Sequence, residues 1–481
     1  MATLPFSPWR LALQLLLAGG ALSAWAQPAP LAPETLPPAV NAALAQARVP
    51  TSALAVLVMD AGDSGQVYAS HRTQAPVNPA SVMKLVTTYA ALDLLGPGHT
   101  WSTPVYTDGV LKDGVLQGNL YIQGGGDPKL VTERLWLLMR RIQGLGIRRI
   151  AGDIVLDRRA FQLPPVDPGA FDGEPLRPYN ASPDALLLNF KSVVMTFTPD
   201  PSNGVAQVAV EPPLGGVALP TSVPLAANGT GCGDWRGGLK ADFSDPLRIR
   251  LAGAYPAACG ERSWPVAYAA PERFAERAVA GMWLAVGGQL DGQVREGAVP
   301  AGLAPRLNWP SVSLPEVVRD VNKFSNNVMA QHLLLTLALN GNGPATFDGA
   351  RQRVATWWRE RLGPDVPLPE VDNGAGLSRT ARITAQALGR LLRTAYASGQ
   401  MPELMASLPV SGLDGTMRRS QNAVGLAHLK TGSLNEVNAL AGYVHGAQGK
   451  RLVFVAIVNH PNAHAARPAL QALLGWAAGQ P

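Results

Sequence analysis

The spacing of apolar and polar positions divides the chain into three stretches of different character. Near the start, residues 39–47 carry apolar positions at helical spacing, and 52–60 (SALAVLVMD) is an unbroken apolar run of strand length. Asp60 to Gly65 is turn chemistry and 66–70 resumes the alternation, so a hairpin is expected. Asn78-Pro79 opens a helix predicted over 80–95, which Gly96-Pro97 stops. From Trp101 to Pro265 the pattern becomes short alternating segments, among them GNLYIQG, AGDIVLD, SVVMTFTPD and AQVAVEP, parted by Gly, Pro, Asn and Asp. A single helix, 130–145, interrupts this β-rich stretch. Helical spacing returns at 272–287, 314–339, 345–362 and 384–398. Three strands, 425–431, 439–445 and 451–459, and a closing helix over 468–478 complete the chain. Extended segments at both ends around a helical middle predict an α/β fold. Its N- and C-terminal strands share one sheet flanked by helices, and 101–265 is inserted material.

Composition narrows this picture. With 481 residues, 47% hydrophobic and 15% charged, the chain has ample apolar surface for a core, which excludes a disordered chain or a coiled coil. Gly 50 and Pro 42, without a collagen period, predict many turns and comparatively few helices, and argue against a helical bundle. The net charge, 40 − 34 = +6, comes without a basic run or interleaved aromatics, so no nucleic-acid partner is expected.

Residues 1–26 read as a signal peptide: Arg10, an apolar run over 11–22, then Ala24-Trp25-Ala26. That run is too short for a stable membrane span and no second apolar run of about 18 residues follows, so an exported, unanchored protein of 481 − 26 = 455 residues is expected. In an oxidising compartment Cys232 and Cys259, 259 − 232 = 27 apart, predict one disulfide. The seven histidines include no HExxH, so neither a metal nor another cofactor is expected.

Three short strings carry candidate chemistry. In Ser81-Val82-Met83-Lys84 a hydroxyl and an amine at i and i+3 share one face of a helix start, where the helix dipole and burial favour the neutral amine that takes a serine proton. Ser325-Asn326-Asn327 falls in a loop leading into a helix, where the plain alternative is an N-cap. Lys430-Thr431-Gly432-Ser433 ends an apolar strand and offers donors to a carboxylate, with Gly432 allowing close approach; taken alone it is an ordinary hairpin turn.

In this order the three resemble the S-x-x-K, S-x-N and K-T-G set of penicillin-binding proteins and serine β-lactamases. Asn78-Pro79-Ala80, Gly124-Gly125-Gly126-Asp127-Pro128, the string from Asp372 to Arg379 and that from Ser411 to Thr416 look like the class C low-molecular-mass members, the D-alanyl-D-alanine carboxypeptidase/endopeptidase family. The interval from Ser81 to Ser325, 325 − 81 = 244 residues, is that family's mark.

The resemblance implies a transpeptidase-like domain over 27–100 and 266–481, an antiparallel sheet flanked by helices. The inserted 101–265 would form two nested β-rich domains. It further implies periplasmic acyl transfer on peptidoglycan stem peptides, with β-lactams as covalent inhibitors. Ser81 would be the nucleophile, Lys84 the base and Ser325 the proton relay, and Lys430 would make the pocket electropositive. Asn327 would bind the substrate backbone, and Thr431, Gly432 and Ser433 its carboxylate end. Arg379, Asn435 and Asp157 would read the stem residue before D-alanine. The sequence departs from the pattern at Asn326, often Asp, and at Ala375, a serine in the family string. Two other readings stay open: a serine β-lactamase, which would want a second base, and a wall-binding module with a vestigial serine.

Overall fold

The computed structural model describes residues 36–339 and 343–480, so the expected signal segment lies outside the described residues. One antiparallel sheet joins the two chain ends, in the order Ala427–Leu434, Val437–His445, Arg451–Asn459, Leu54–Asp60, Val67–His71. Leu57 lies opposite Val455 in its middle. The apolar runs are continuous rather than alternating because both faces of the sheet are covered. Ala55, Leu57, Val453, Val455 and Ile457 face a core built with most of the helices. Their neighbours Leu54, Val56, Val58, Leu452, Phe454 and Ala456 face a second core formed with the terminal helices Pro38–Gln46 and Arg467–Ala478.

The helix Lys84–Leu95 crosses the larger core and buries nine consecutive residues, Lys84 to Leu92. Around it pack Leu314–Phe324, Asn327–Thr336, Phe347–Leu362, Ala385–Tyr396 and Met401–Ser407. The helical pattern over 314–339 is two helices, parted at the Ser325-Asn326-Asn327 loop expected from the sequence, because Ser325 ends the first in the left-handed conformation (φ 58°, ψ 36°). The described residues form eleven α-helices against twenty strands. Many glycines and prolines sit at helix ends, where Gly96 and Gly363 terminate two helices and prolines open others.

Between Trp101 and the helix at Leu314 the chain builds a separate core, as expected rich in β-structure. Its largest sheet runs Val294–Glu296, Ile154–Asp157, Leu120–Gln123, Ser102–Thr107, Leu307–Pro310. The helices Thr132–Gly144 and Phe274–Ala285 serve as crossovers between its parallel strands. The Pro265 boundary read from the sequence therefore falls too early. Phe274, Val279 and Trp283 pack in the inserted core, and the strands up to Pro310 pair with inserted ones. Cys232 and Cys259 form a disulfide within this region. From it a long segment, residues 158–191, reaches back toward the main core as a strap. The strap's root is fixed by buried Asp184, which pairs with Arg158 and, at 3.1 Å, with Lys191.

Candidate active site

The turn Ala80–Met83, which carries Ser81, is held from three sides before the helix begins. Asn78 exchanges bonds with Asn459 of the central sheet, donating its backbone N–H to Oδ1 (2.7 Å) and accepting from Nδ2 at its carbonyl (2.9 Å). Asn78 Oδ1 accepts from Ala80 N (2.8 Å), and its Nδ2 donates to the Ser378 carbonyl (2.9 Å). On the third side Gly376, at φ +70°, lies so near that a Cβ there would stand 1.9 Å from the Ala80 carbonyl oxygen.

Lys84 is wholly buried, with Nζ 2.9 Å from Ser81 Oγ, 2.7 Å from Asn327 Oδ1 and 2.6 Å from the Ala375 carbonyl oxygen. Burial first, and then the charge of Lys430, hold its amine well below the ordinary lysine range. Lys430 is equally buried, and burial pulls it down to about 7. It donates to Ser325 Oγ (2.9 Å) and to the Thr431 carbonyl (2.9 Å). Each of two buried amines thus faces one serine hydroxyl. Ser325 is presented by the left-handed break between its two helices, while Asn326 caps the second helix through Oδ1, accepting from Met329 N (3.0 Å). An aspartate would cap in the same way, so the departure at Asn326 leaves the geometry intact. The departure at Ala375 is equally neutral, because only its backbone oxygen meets Lys84.

A cavity of about 430 Å³ opens on these groups, lined by Ser81, Ser325, Asn327, Arg379, Ser433 and Asn435. Thr431, bonded through Oγ1 to Thr416 Oγ1 (2.9 Å), and Gly432 lie at an adjoining hollow that shares Ser433 with it. Asp157 is elsewhere. It is buried at the end of its strand, pairing with Arg159 (2.7 Å) and accepting from Val299 N (3.0 Å). Burial acts to raise its pKa, but these hydrogen bonds prevail and lower it. The strap supplies cavity residues that sequence reading missed: Phe171, Asp172 and Tyr179. Arg379 Nη2 donates to the Phe171 carbonyl (2.9 Å) and stacks over its ring at 5.0 Å. Asn327 Nδ2 donates to the Tyr179 carbonyl (3.2 Å). In chemical terms the arrangement offers a hydroxyl beside a buried amine, a second such pair opposite, and strand donors along one wall. Such an arrangement is suited to acyl transfer.

The model of a family described as D-Ala-D-Ala carboxypeptidase 3 (S13) matches residues 36–480. D-alanyl-D-alanine carboxypeptidase from an Actinomadura strain is 30% identical over 440 residues, covering 86% of this chain and 79% of that protein. D-alanyl-D-alanine carboxypeptidase DacB of Haemophilus influenzae is 24% identical over 411 residues, 82% of this chain and 83% of that one. Penicillin binding protein 4 from Haemophilus influenzae shares the fold, with a TM-score of 0.71 at 21% identity over 92% of this chain and 99% of that chain. A penicillin G acylated predatory endopeptidase from Bdellovibrio bacteriovorus aligns with a TM-score of 0.52 at 15% identity, over 89% of this chain and 93% of that one.

Proposed function

The chain belongs to the D-Ala-D-Ala carboxypeptidase 3 (S13) family and is a DD-peptidase, and on that premise we propose that it trims and un-crosslinks peptidoglycan stem peptides through an acyl-enzyme on Ser81. The observation that carries this is the contact of Ser81 Oγ with the buried, depressed amine of Lys84. Neutral Lys84 takes the Ser81 proton as Oγ bonds to the carbonyl carbon of the penultimate D-alanine. The oxyanion that forms is held by the backbone amides of Ser81 and Ser433, worth about 3 to 4 kcal/mol in comparable enzymes. When the C–N bond breaks, the departing amine receives a proton through Ser325 and Lys430. Water then cleaves the ester, releasing the acid and regenerating the Ser81 hydroxyl.

Asn327 binds the substrate backbone, and Thr431, Gly432 and Ser433 receive its carboxylate end. Arg379 and Asn435, joined by Asp172, bracket the side chain of the preceding stem residue; Asp157, outside the cavity, takes no part. A crosslink between D-alanine and a diamino acid presents the same carbonyl, so endopeptidase activity accompanies carboxypeptidase activity. β-Lactams acylate Ser81 and leave slowly, a reading that a penicillin-acylated relative of the same fold supports. The signal-like segment supports a periplasmic location, and the inserted region, extended to Pro310 by its strand pairing, is read as two nested domains.

The test is intact-protein mass after benzylpenicillin, for wild type and Ser81→Ala, beside D-alanine release from diacetyl-Lys-D-Ala-D-Ala or a muropeptide. A persistent adduct on wild type alone, with D-alanine release, is expected. An adduct lost within seconds would indicate a β-lactamase, and no adduct with no release would leave a wall-binding module.

A further inference from the structure

We infer that the strap over residues 158–191 is a positioning element for the proton transfer: its Tyr179 carbonyl fixes the orientation of the Asn327 amide and thereby aims the Lys84 lone pair at Ser81. This rests on the reading of Ser81 as nucleophile and Lys84 as base. A neutral amine has two N–H donors and one lone pair. Of the three groups around Lys84 Nζ, the Ala375 carbonyl and Asn327 Oδ1 only accept, so they consume the two donors and leave the lone pair facing the Ser81 hydroxyl. That allocation holds only while Asn327 presents its oxygen. With the amide turned over, Nδ2 would donate to the Lys84 lone pair and compete with Ser81 for it. The strap opposes this turn, because the Tyr179 carbonyl needs the Asn327 Nδ2 donor at 3.2 Å and would otherwise face an oxygen.

The Tyr179 carbonyl is itself held by a knot within the strap. It lies in the turn Pro178–Asn180, where Asn180 Nδ2 donates to Asp172 Oδ1 (2.8 Å) and to the Glu174 carbonyl (3.0 Å), and Tyr179 Oη donates to Asp172 Oδ2 (2.8 Å). Asn180 does not line the site cavity, so it acts on Lys84 only through this chain of bonds. The charged group acting on Lys84 is Lys430, from the neighbouring strand; Ser81, Asn327 and the Ala375 carbonyl are uncharged.

The experiment measures the second-order rate constant of benzylpenicillin acylation against pH for wild type, Asn180→Ala and the isosteric Asn180→Asp, with thermal midpoints. Benzylpenicillin carries no stem side chain, so recognition by Arg379 and Asp172 does not enter. Loosening the turn lets the amide turn over, which removes an acceptor from the ammonium and adds a donor to the neutral amine. The expected result is a plateau about tenfold or more below wild type, with the acid limb moved downward by about one pH unit. Partial unfolding would lower the plateau without moving the limb. A plateau unchanged in both variants, a lowered plateau with the limb in place, or a limb displaced upward each overturns the proposal. Absence of any adduct on wild-type Ser81 would instead remove the catalytic reading beneath it, an outcome visible before any variant is compared.

Discussion

Replacing Gly432 by alanine probes how tightly the strand and the nucleophile turn must fit. A Cβ at 432 would stand 2.4 Å from the Pro79 carbonyl oxygen and 3.2 Å from both Val82 N and the Ala439 Cβ. A methyl carbon meets a backbone oxygen comfortably no closer than about 3.4 Å, so the shortfall is about 1 Å. The backbone at 432 is ordinary strand, and two of the three obstructing atoms are backbone that no rotamer change can move. The strand Ala427–Leu434 must therefore shift by about 1 Å away from the turn Ala80–Met83. That strand carries both Lys430 and Ser433. A 1 Å shift takes the Lys430–Ser325 contact, now 2.9 Å, beyond hydrogen-bond reach and withdraws the Ser433 amide from the oxyanion position proposed above. Misplacement of this size costs about a hundredfold in rate, and overpacking costs about 1 to 3 kcal/mol of stability. The assay is the benzylpenicillin acylation constant by time-resolved intact mass, beside the thermal midpoint. Gly144→Ala, where nothing lies within 4 Å, serves as the neutral control. A Gly432→Ala acylation constant within about threefold of wild type would refute the reasoning, since the strand would then have found room without disturbing the site.

Two further outcomes follow from the same structure. Burial lowers Lys430 to about 7 in the folded protein against 10.5 in the open chain, so between those values the unfolded state binds more protons and stability rises with pH; calorimetric midpoints of wild type should climb from pH 7 toward pH 10, and those of Lys430→Met should climb less while acylation is lost. Reduction of Cys232–Cys259, which closes a loop of sequence separation 27, should destabilise the inserted region by about 3 to 4 kcal/mol in denaturant titrations; because the pair packs in the inserted core, Ser81 acylation by benzylpenicillin should persist, and its loss on reduction would contradict that separation.

The elements that read correctly in the sequence are those whose pattern is set by burial on a large scale. The strands Leu54–Asp60 and Arg451–Asn459 are continuously apolar between their polar ends because each faces a core on either side, and their length and flanking turns mark them as strands. The break at Ser325 was legible only from the Ser325-Asn326-Asn327 string and hidden from the periodicity, because helical spacing continues on both sides of it and the left-handed residue is a serine rather than a glycine. The true end of the inserted region was hidden for a different reason. Strands such as Gln289–Leu290 and Val294–Glu296 are two and three residues long, too short to show a period, and their partners lie well over a hundred residues away in sequence.

The candidate site divides along the same line. Ser81, Lys84, Ser325, Asn327 and Lys430 are legible because their work depends on a particular side chain, so the residue type itself is the signal. The strap acts on the site through main-chain oxygens, the Phe171 carbonyl on Arg379 and the Tyr179 carbonyl on Asn327, and every residue type has a carbonyl. Its sequence, rich in Pro, Gly and acidic residues, therefore reads as an ordinary loop. The side chains that fold the strap carry a residue-type requirement, Asp172 and Asn180 at its turn and Asp184 with Arg158 and Lys191 at its root, and no periodic pattern connects them. A positioning device built from backbone carbonyls is thus visible only once the fold has placed those carbonyls against the amide and guanidinium they fix. It follows that substitutions within the strap should be tolerated wherever the turn and the root keep their course and harmful at Asp172, Asn180 and Asp184, a distribution opposite to that of the three motifs, where the side chain itself is the instrument.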